Sequence, residues 1–236
     1  MMNQTYIHCV TMTNAGYIEY TDNLLNSINE NKTNIDLNVY ALDKKTFDHF
    51  KKKTNTLNFF DNKEKNSEFL KQNDDEFGKL MLKKFEIIYD SLIKNDLTLY
   101  IDGDIVIKKN FSDYILKQIQ NKDIIFQNDK RPSKANEINL CAGFMLIKSN
   151  KKTLKIFQPT EKLEKIFLKY KTHDQTYLNK NKNKLNYGVL PLHLFPNGPY
   201  YYKNFNNIDP FMIHFNYLIG HVKKEKMIEF NEWYNN

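Results

Sequence analysis

The chain has 236 residues, of which 41% are hydrophobic and 27% charged, and its net charge at pH 7 is +7. These values are typical of a soluble globular protein, and the length permits one large α/β domain or two small ones. The sequence contains no apolar run of roughly 18 residues, as a membrane span requires, and its two cysteines are too few for a disulfide framework. Because no signal peptide precedes the first predicted strand, we expect a cytoplasmic protein.

Apolar periodicity in the first half of the chain predicts alternating strands and helices. The predicted strands are 6–10, 35–42 and the apolar stretch around 99–107. The predicted helices are 17–28 and 80–93. The polar segment 44–75 is expected to be a variable loop with a short strand at 57–60. Alternation of this kind is typical of a doubly wound sheet.

The second half of the chain continues in the same manner. Further strands are predicted at 123–127, 140–147 and 211–214, and further helices at 111–119, 154–170, 173–179 and 222–233. Pro159 predicts a kink or a restart in the second of these helices. The connecting segments are a loop at 128–139, a surface loop at 180–184, an extended stretch at 185–195 and a turn at 196–199. No linker divides the chain, so we expect a single α/β domain, 1–236, on a mixed, mostly parallel sheet flanked by helices.

The most informative motif is Asp102-Gly103-Asp104, which follows the apolar residues of a predicted buried strand. Open α/β sheets place their ligands at the carboxyl ends of such strands. Two carboxylates on one short turn repel each other, and a divalent cation such as Mg²⁺ or Mn²⁺ removes that repulsion. The alternative interpretation is an ordinary turn, because Asp and Gly are both common turn residues.

Three later segments of the chain also contain residues of interest. The segment 139–147 contains Gly143, the segment His173-Asp174-Gln175 opens a predicted helix, and the segment 214–223 begins with His214 and contains Gly220 and Lys223. Together with Asp102-Gly103-Asp104 they span nearly the whole chain. In this combination the sequence resembles the nucleotide-sugar glycosyltransferases of the GT-A fold, especially the small enzymes of families 8 and 77. The resemblance implies a Rossmann-like α/β fold.

The resemblance also implies a metal site and a diphosphate site. Asp102, Asp104 and His214 would be the metal ligands, with Asp102 and Gly103 also touching the nucleotide. An imidazole ligand favours Mn²⁺ over Mg²⁺. Lys223, which follows the turn at Gly220, would bind the diphosphate near a helix start. The alternatives are an ordinary strand-end histidine and a solvated helix lysine.

Other residues are assigned to the nucleotide and the sugar. By resemblance Asp174 and Gln175 line the sugar and acceptor side, although acids and amides also favour helix starts for local reasons. Gly143 would let the backbone approach the sugar, or mark a bulge in a strand. By their position after the first strand, Thr11, Asn14 and Tyr17 would contact the nucleobase and ribose. Lys84, on the helix before the acidic motif, would contact the nucleotide.

The resulting expectation is a hexosyltransferase of EC class 2.4. It would move glucose or galactose from a UDP-sugar to a hydroxyl of a glycan, protein or small molecule, with retention of configuration. Residues 1–110 would bind the nucleotide and 111–236 the sugar and acceptor. Thr176 stands where relatives usually carry a second Asp, so the sugar is left open.

Two other functional classes compete with this expectation. A haloacid-dehalogenase-type phosphatase also has an apolar strand that ends in Asp-x-Asp, with the first Asp as nucleophile. It needs a downstream acidic pair, whereas the acids that follow Asp104 are isolated. A basic nucleic-acid-binding protein would be the non-enzymatic alternative. Binding to nucleic acid is not favoured, because the lysines are scattered and form no single stripe.

Overall fold

The computed structural model describes residues 6–59, 75–130 and 138–235. The strands are β1 (Ile7–Thr13), β2 (Ile35–Ala41), β3 (Asn55–Asn58), β4 (Leu97–Ile101), β5 (Ile105–Ile107), β6 (Ile124–Asn128), β7 (Leu140–Lys148), β8 (Tyr187–Leu190) and β9 (Met212–His214). The helices are α1 (Ile18–Glu30), α2 (Lys44–Phe50), α3 (Asp75–Leu92), α4 (Ser112–Ile119), α5 (Lys151–Phe157), α6 (Glu161–Glu164), α7 (Asp174–Asn181), α8 (Gly198–Asn204) and α9 (His221–Glu229).

The main sheet has seven strands in the order β3-β2-β1-β4-β7-β6-β8. Its strands run parallel except for β7, which is antiparallel to both β4 and β6. The predicted mixed, mostly parallel sheet is therefore confirmed. Strands from both halves of the sequence lie side by side in it, since β4 pairs with β7.

A second, two-stranded antiparallel sheet joins β5 to β9, with Ile105 opposite His214. Asp104 directly precedes β5, and its carbonyl accepts a hydrogen bond from Phe215 N at 3.1 Å. The pairing in this small sheet therefore places the end of β9 next to the turn that follows β4.

Both faces of the main sheet are buried, which explains the nearly continuous apolar character of its strands. Alternate residues such as Leu99 and Tyr100 enter two separate cores. Helices α1 and α4 cover the first core, while α3 and α5 cover the second. A smaller core packs α8 and α9 against β5 and β9 through Val106, Ile213 and Met227. Among the described residues, no helix combines the length and the apolar character that crossing a membrane requires.

Several predicted loops contain helices. The segment 44–75 was expected to be a loop, but it begins with α2, and its short strand lies at Asn55–Asn58 rather than 57–60. The Asp43 side chain accepts a hydrogen bond from Thr46 N at 2.8 Å and caps α2. The expected surface loop at 180–184 is instead the end of α7 and a 3₁₀ turn. The rest of the 44–75 prediction, and most of the loop predicted at 128–139, fall at 60–74 and 131–137, outside the described residues.

The turn predicted at 196–199 opens α8 instead. Asn197 caps this helix by accepting from Tyr200 N at 3.0 Å, and Pro199 lies in its first turn, where the missing N–H has no cost. Of the extended stretch at 185–195, only Tyr187–Leu190 is a strand. The restart predicted at Pro159 is confirmed, because α5 ends at Phe157 and α6 begins at Glu161.

Candidate active site

Three potential metal ligands lie together at the carboxyl end of β4. Asp102 and Asp104 follow this strand, and His214 is the last residue of β9. His214 Nε2 lies 3.3 Å from Asp104 Oδ1 and 3.9 Å from Asp102 Oδ2. One ligand atom from each residue lies within 4.8 Å of the others. Two carboxylates and an imidazole at this spacing suit a divalent transition-metal ion.

Gln127, at the end of β6, fixes the orientation of the His214 ring. Its amide nitrogen donates to the carbonyls of Phe195 and Pro196, at 3.2 and 2.9 Å. The amide oxygen is therefore free to accept from His214 Nδ1, at 2.8 Å. This arrangement places a proton on Nδ1 and turns Nε2 toward the carboxylates, as in histidines that bind metals.

The charge of the His214 ring depends on Asp104. Burial alone would lower the pKa of the ring, but the adjacent Asp104 carboxylate raises it well above its usual value. A cation that binds Nε2 must therefore displace a proton, which couples metal binding to proton release.

Gly143, on β7, leaves the space in which the ligands meet. Its carbonyl accepts from Asp102 N at 2.8 Å. A Cβ atom at this position would lie 2.4 Å from His214 Cε1 and 2.5 Å from Asp102 Oδ2. Any side chain here would displace both ligands, so the glycine is required by a close approach within the protein itself.

Lys223, on α9, is buried beside the carboxylates. Its ammonium forms an ion pair with Asp104 Oδ2 and lies 3.3 Å from the Tyr17 hydroxyl. Burial opposes both charges of the pair, yet Lys223 and His214 hold the pKa of Asp104 well below its usual range, and Asp104 raises the pKa of Lys223. Burial raises the pKa of Tyr17 to about 12, so its phenol stays protonated. Lys223 is only 2% exposed, which excludes a solvated helix lysine.

Lys84, on α3, reaches the same edge of the sheet from the other side. Its Nζ lies 2.8 Å from Asp174 Oδ2, 3.2 Å from Asp102 Oδ1 and 4.5 Å from the centre of the Tyr100 ring. Tyr100 donates to Asp102 Oδ1 at 2.9 Å. Burial opposes the charge of Lys84, but Asp102 and Asp174 raise its pKa well above the usual value. Two donors thus occupy Asp102 Oδ1, and its Oδ2 faces His214.

Gln175 lies beside Asp174 at the start of α7. Its amide oxygen accepts from Ala142 N at 3.4 Å, and its amide nitrogen donates to Asp129 Oδ2 at 2.9 Å. Because Ala142 precedes Gly143, the structure places Gln175 next to the metal-ligand cluster. Asp174, Gln175 and Lys84 therefore form one group on the β7 side of the site.

Thr11 and Asn14 lie at the carboxyl end of β1, which neighbours β4. Among the described residues, the Thr11 hydroxyl and Asn14 Oδ1 are buried without a hydrogen-bond partner. Such atoms are costly unless a ligand or water pairs with them. Thr21 connects this end of β1 to the acidic turn, because its hydroxyl donates to Thr13 and a Cβ on Gly103 would lie 2.7 Å from it.

Gly220 separates the segment after β9 from α9. Its φ is +57°, in the left-handed region that favours glycine, and its carbonyl accepts from the Tyr20 hydroxyl at 2.8 Å. No side chain caps α9 at this position. Lys223 N donates to the Gly220 carbonyl at 3.0 Å, so the backbone N–H groups of His221 and Val222, at the very start of α9, are the ones placed to meet an anionic ligand.

Sequence reasoning did not identify Gln127 or Asp129 as site residues. For Gln127 a signal existed, since it is an amide that directly follows the buried apolar run Ile124-Ile125-Phe126. Asp129 appeared only as an isolated acid. Their roles depend on long-range partners that no local motif reveals.

Comparison with known families decides between the functional classes. The sequence model of a family described as "Nucleotide-diphospho-sugar transferase" matches residues 36–228, a range that contains all three potential metal ligands. The chain belongs to the nucleotide-diphospho-sugar transferase family. The resemblance found in the sequence is thereby confirmed, and the family is one of transferases rather than of phosphatases or nucleic-acid-binding proteins.

A curated relative and two solved structures are similar to this nucleotide-diphospho-sugar transferase. The relative is "UDP-galactose:fucoside alpha-3-galactosyltransferase" of Dictyostelium discoideum, 28% identical over 96% of this chain and 43% of that protein. The glycosyltransferase GlyE of Streptococcus pneumoniae TIGR4 superposes with a TM-score of 0.60 at 14% identity, covering 98% of this chain and 61% of GlyE. The galactosyltransferase LgtC gives 0.57 at 12% identity, covering 88% and 86%. The chain spans less than half of the length of the curated relative. The structural similarity confirms the expected GT-A fold.

Proposed function

We propose that this transferase moves a hexose from a UDP-sugar to a hydroxyl acceptor, with a divalent cation bound by Asp102, Asp104 and His214. The observation that supports this most strongly is the convergence of these three side chains with a buried ammonium, Lys223, at the edge of one sheet. This pattern combines ligands for a cation with a fixed positive charge for a diphosphate. A haloacid-dehalogenase-type phosphatase would also need a downstream acidic pair, whereas the acids after Asp104 are isolated, and a nucleic-acid-binding surface requires no such combination.

The residues present fit the proposed cation. The Nδ1 proton of His214 is held by Gln127, so Nε2 faces the carboxylates, and Gly143 leaves the ligands room to meet. The imidazole favours Mn²⁺, with Mg²⁺ as the alternative. When bound, the cation supplies positive charge that stabilises the departing diphosphate.

The protein's own cations act on the same leaving group. Lys223 is held as an ammonium, and α9 begins beside it with uncapped N–H groups. Both favour an anion at this position. As the bond between the anomeric carbon and the diphosphate oxygen breaks, negative charge grows there and is stabilised. Tyr17, in contact with Lys223, and the unpaired polar atoms of Thr11 and Asn14 would bind the nucleoside, with Gly103 and Gly220 forming the turns against it.

The reaction on the sugar side has an oxocarbenium-like transition state. The acceptor hydroxyl forms the new bond to the anomeric carbon, its proton is released, and UDP leaves. Asp174 and Gln175, held by Lys84 and Asp129, would bind the sugar beside Gly143. The name of the Dictyostelium relative favours galactose over glucose, and its α-linked product favours retention.

The remaining assignments complete the proposal. We assign residues 1–110 mainly to the nucleotide and 111–236 mainly to the sugar and acceptor, with His214, Gly220 and Lys223 of the second part lying on the diphosphate side. The acceptor would supply a hydroxyl of a glycan, a protein or a small molecule. A cytoplasmic location stays a prediction of the sequence.

The proposal is tested by measuring thermal stability with UDP-, GDP- and CMP-sugars, each with and without Mn²⁺. A ligand that binds only the folded state raises the unfolding temperature, so UDP-sugars with Mn²⁺ should give the largest shift. Asp104→Ala should remove the Mn²⁺-dependent shift and the turnover of the donor. Retention is tested separately by proton NMR of the product, where an inverted anomer would contradict it. Equal shifts for all nucleotides, or full turnover by Asp104→Ala, would refute the proposed function.

A further inference from the structure

Asp129 directly follows β6 and is 3% exposed. Its Oδ1 accepts from Asn216 Nδ2 at 2.8 Å and from Asn197 Nδ2 at 3.2 Å. Its Oδ2 accepts from the Tyr217 hydroxyl at 2.7 Å and from Gln175 Nε2 at 2.9 Å. Four neutral donors, from three separate segments of the chain, therefore meet on one buried carboxylate.

The three segments carry the groups that the proposed function uses. Gln175 is on α7 beside Asp174, and Asn197 caps α8. The third segment, 215–219, links His214 to Gly220 and so connects the metal ligand to the start of the helix that carries Lys223. Asp129 is the point at which the sugar side and the phosphate side of the site are joined.

The segment 215–219 needs such an anchor because its backbone is strained. Tyr217 has a φ of +66°, a left-handed conformation that costs a bulky residue about 1 kcal/mol. Its hydroxyl donates to Asp129 Oδ2 and also lies 3.4 Å from the Asp129 carbonyl oxygen. Strained residues persist where surrounding contacts hold them, and Asp129 supplies those contacts here.

We propose that Asp129 is a positioning residue, whose carboxylate holds Gln175 and the segment 215–219 in one arrangement against the metal ligands. Each of its oxygens is already occupied by two donors, and the side chain is buried, so it acts through these neighbours. The effect of Asp129 on the rate of sugar transfer rests on the proposed function, whereas its effect on the order of Gln175 and the segment 215–219 does not.

The substitution Asp129→Asn keeps an acceptor on one side of the Asp129 side chain and replaces the acceptor on the other side by a donor. The amide oxygens of Asn197 and Asn216 already accept from Tyr200 N and Gly198 N, so these two amides cannot turn over to become acceptors. The oxygen of the new amide must therefore stay on their side, and its nitrogen faces Gln175 and Tyr217. A hydroxyl can rotate to accept, but the amide nitrogen of Gln175 loses its acceptor.

Asp123 provides a matched control at the opposite end of the same strand. Its carboxylate accepts from Asn186 N, Asn150 Nδ2 and Lys152 Nζ, at 2.7, 3.1 and 3.3 Å, far from the metal ligands. Asp123→Asn makes the same chemical change in a network with no proposed role in the reaction.

The first measurement is amide hydrogen exchange in the free protein. Asp129→Asn should speed exchange by roughly tenfold in peptides that cover 174–178 and 215–220, whereas Asp123→Asn should leave both peptides unchanged. Unchanged exchange in Asp129→Asn would overturn the positioning role, whatever the protein catalyses.

The second measurement is steady-state transfer, well below the unfolding temperature of each variant. We expect kcat to fall at least roughly tenfold in Asp129→Asn with the KM for the donor within about threefold, since small displacements of reacting groups are costly. Asp123→Asn should keep the kinetic constants of the unmodified protein. A kcat unchanged in Asp129→Asn would also overturn the proposal. If the unmodified protein transfers no sugar, the proposed function fails and the exchange measurement alone decides the role of Asp129.

Discussion

Gln127 and His214 share a hydrogen bond of 2.8 Å between Oε1 and Nδ1, and both side chains are buried. The amide is itself anchored by two backbone carbonyls, so it cannot turn to present its nitrogen. The imidazole is thus held in one ring orientation and one protonation pattern before any cation binds. A rigidly held ligand binds metal more tightly than a mobile one.

Gln127→Met should weaken Mn²⁺ binding by roughly 10- to 100-fold, because the thioether cannot hold the Nδ1 proton. Calorimetric titration of the purified variant with Mn²⁺ measures this loss. Thr98→Val is a suitable control, since it also removes a buried hydrogen bond, the one between Thr98 on β4 and Ser91 on α3, away from the cluster. If both variants bind Mn²⁺ like the unmodified protein, Gln127 has no role in the site.

Gly143→Ala should abolish metal binding while the protein still folds. The added methyl group would lie within 2.5 Å of both His214 and Asp102, so the ligands must separate. Gly188→Ala is the control in β8, where the added methyl group would make a smaller overlap, 2.9 Å from Ile125 Cγ2. Both substitutions should lower stability by about 1–3 kcal/mol, but only the first should remove the thermal shift produced by Mn²⁺. Retention of that shift in Gly143→Ala would contradict the close approach described above.

Lys223→Ala should weaken binding of UDP at least roughly tenfold and binding of uridine less than twofold, because only UDP carries the phosphates. The substitution also leaves Asp104 buried without its ammonium, at a cost of about 3 kcal/mol in the absence of metal. Lys224→Ala is the matched control, as Lys224 pairs with the exposed carboxylate of Glu19. Equal losses for UDP and uridine would exclude a phosphate role for Lys223.

Stability at low pH should depend on Asp123. Burial alone would raise its pKa, but hydrogen bonds from Asn186, Lys152 and Asn150 outweigh this and lower the pKa below its usual value. A carboxylate with a depressed pKa in the folded state stabilises the fold above its unfolded pKa, about 4, and loses that effect as the pH falls. Asp123→Asn should therefore cost about 1 kcal/mol in the free energy of unfolding at pH 7, and the difference should shrink below pH of about 4. Urea denaturation at several pH values measures it; a difference that is constant with pH would contradict the assignment.

The sequence predicted the fold well where elements are long and apolar. β1, β2, β4, β7, α1 and the helix before the acidic turn follow from periodicity alone, because their burial dictates their residues. It failed for α2 and α8, two short helices in polar or proline-rich sequence. Their starts depend on the caps Asp43 and Asn197, which are common in turns as well.

The candidate site divides in the same way. Asp102, Asp104 and His214 belong to motifs that a single sequence displays, and the structure brings them together. Gln127, on β6, and Asp129, directly after it, lie two positions apart and bind partners from β9 and the segment that follows it. Such contacts are set by the register of β6, and no spacing in the sequence encodes them.

Because β5 pairs with β9, we expect the candidate site to be completed late in folding. Asp102 and Asp104 belong to the middle of the chain, whereas His214 arrives only when β9 docks as the partner of β5. Contacts between such distant positions form slowly, since a long loop must close first. A chain interrupted before β9 could assemble most of the main sheet and yet hold no complete ligand set. Tight binding of a cation would thus indicate that the last third of the polypeptide has folded onto the rest.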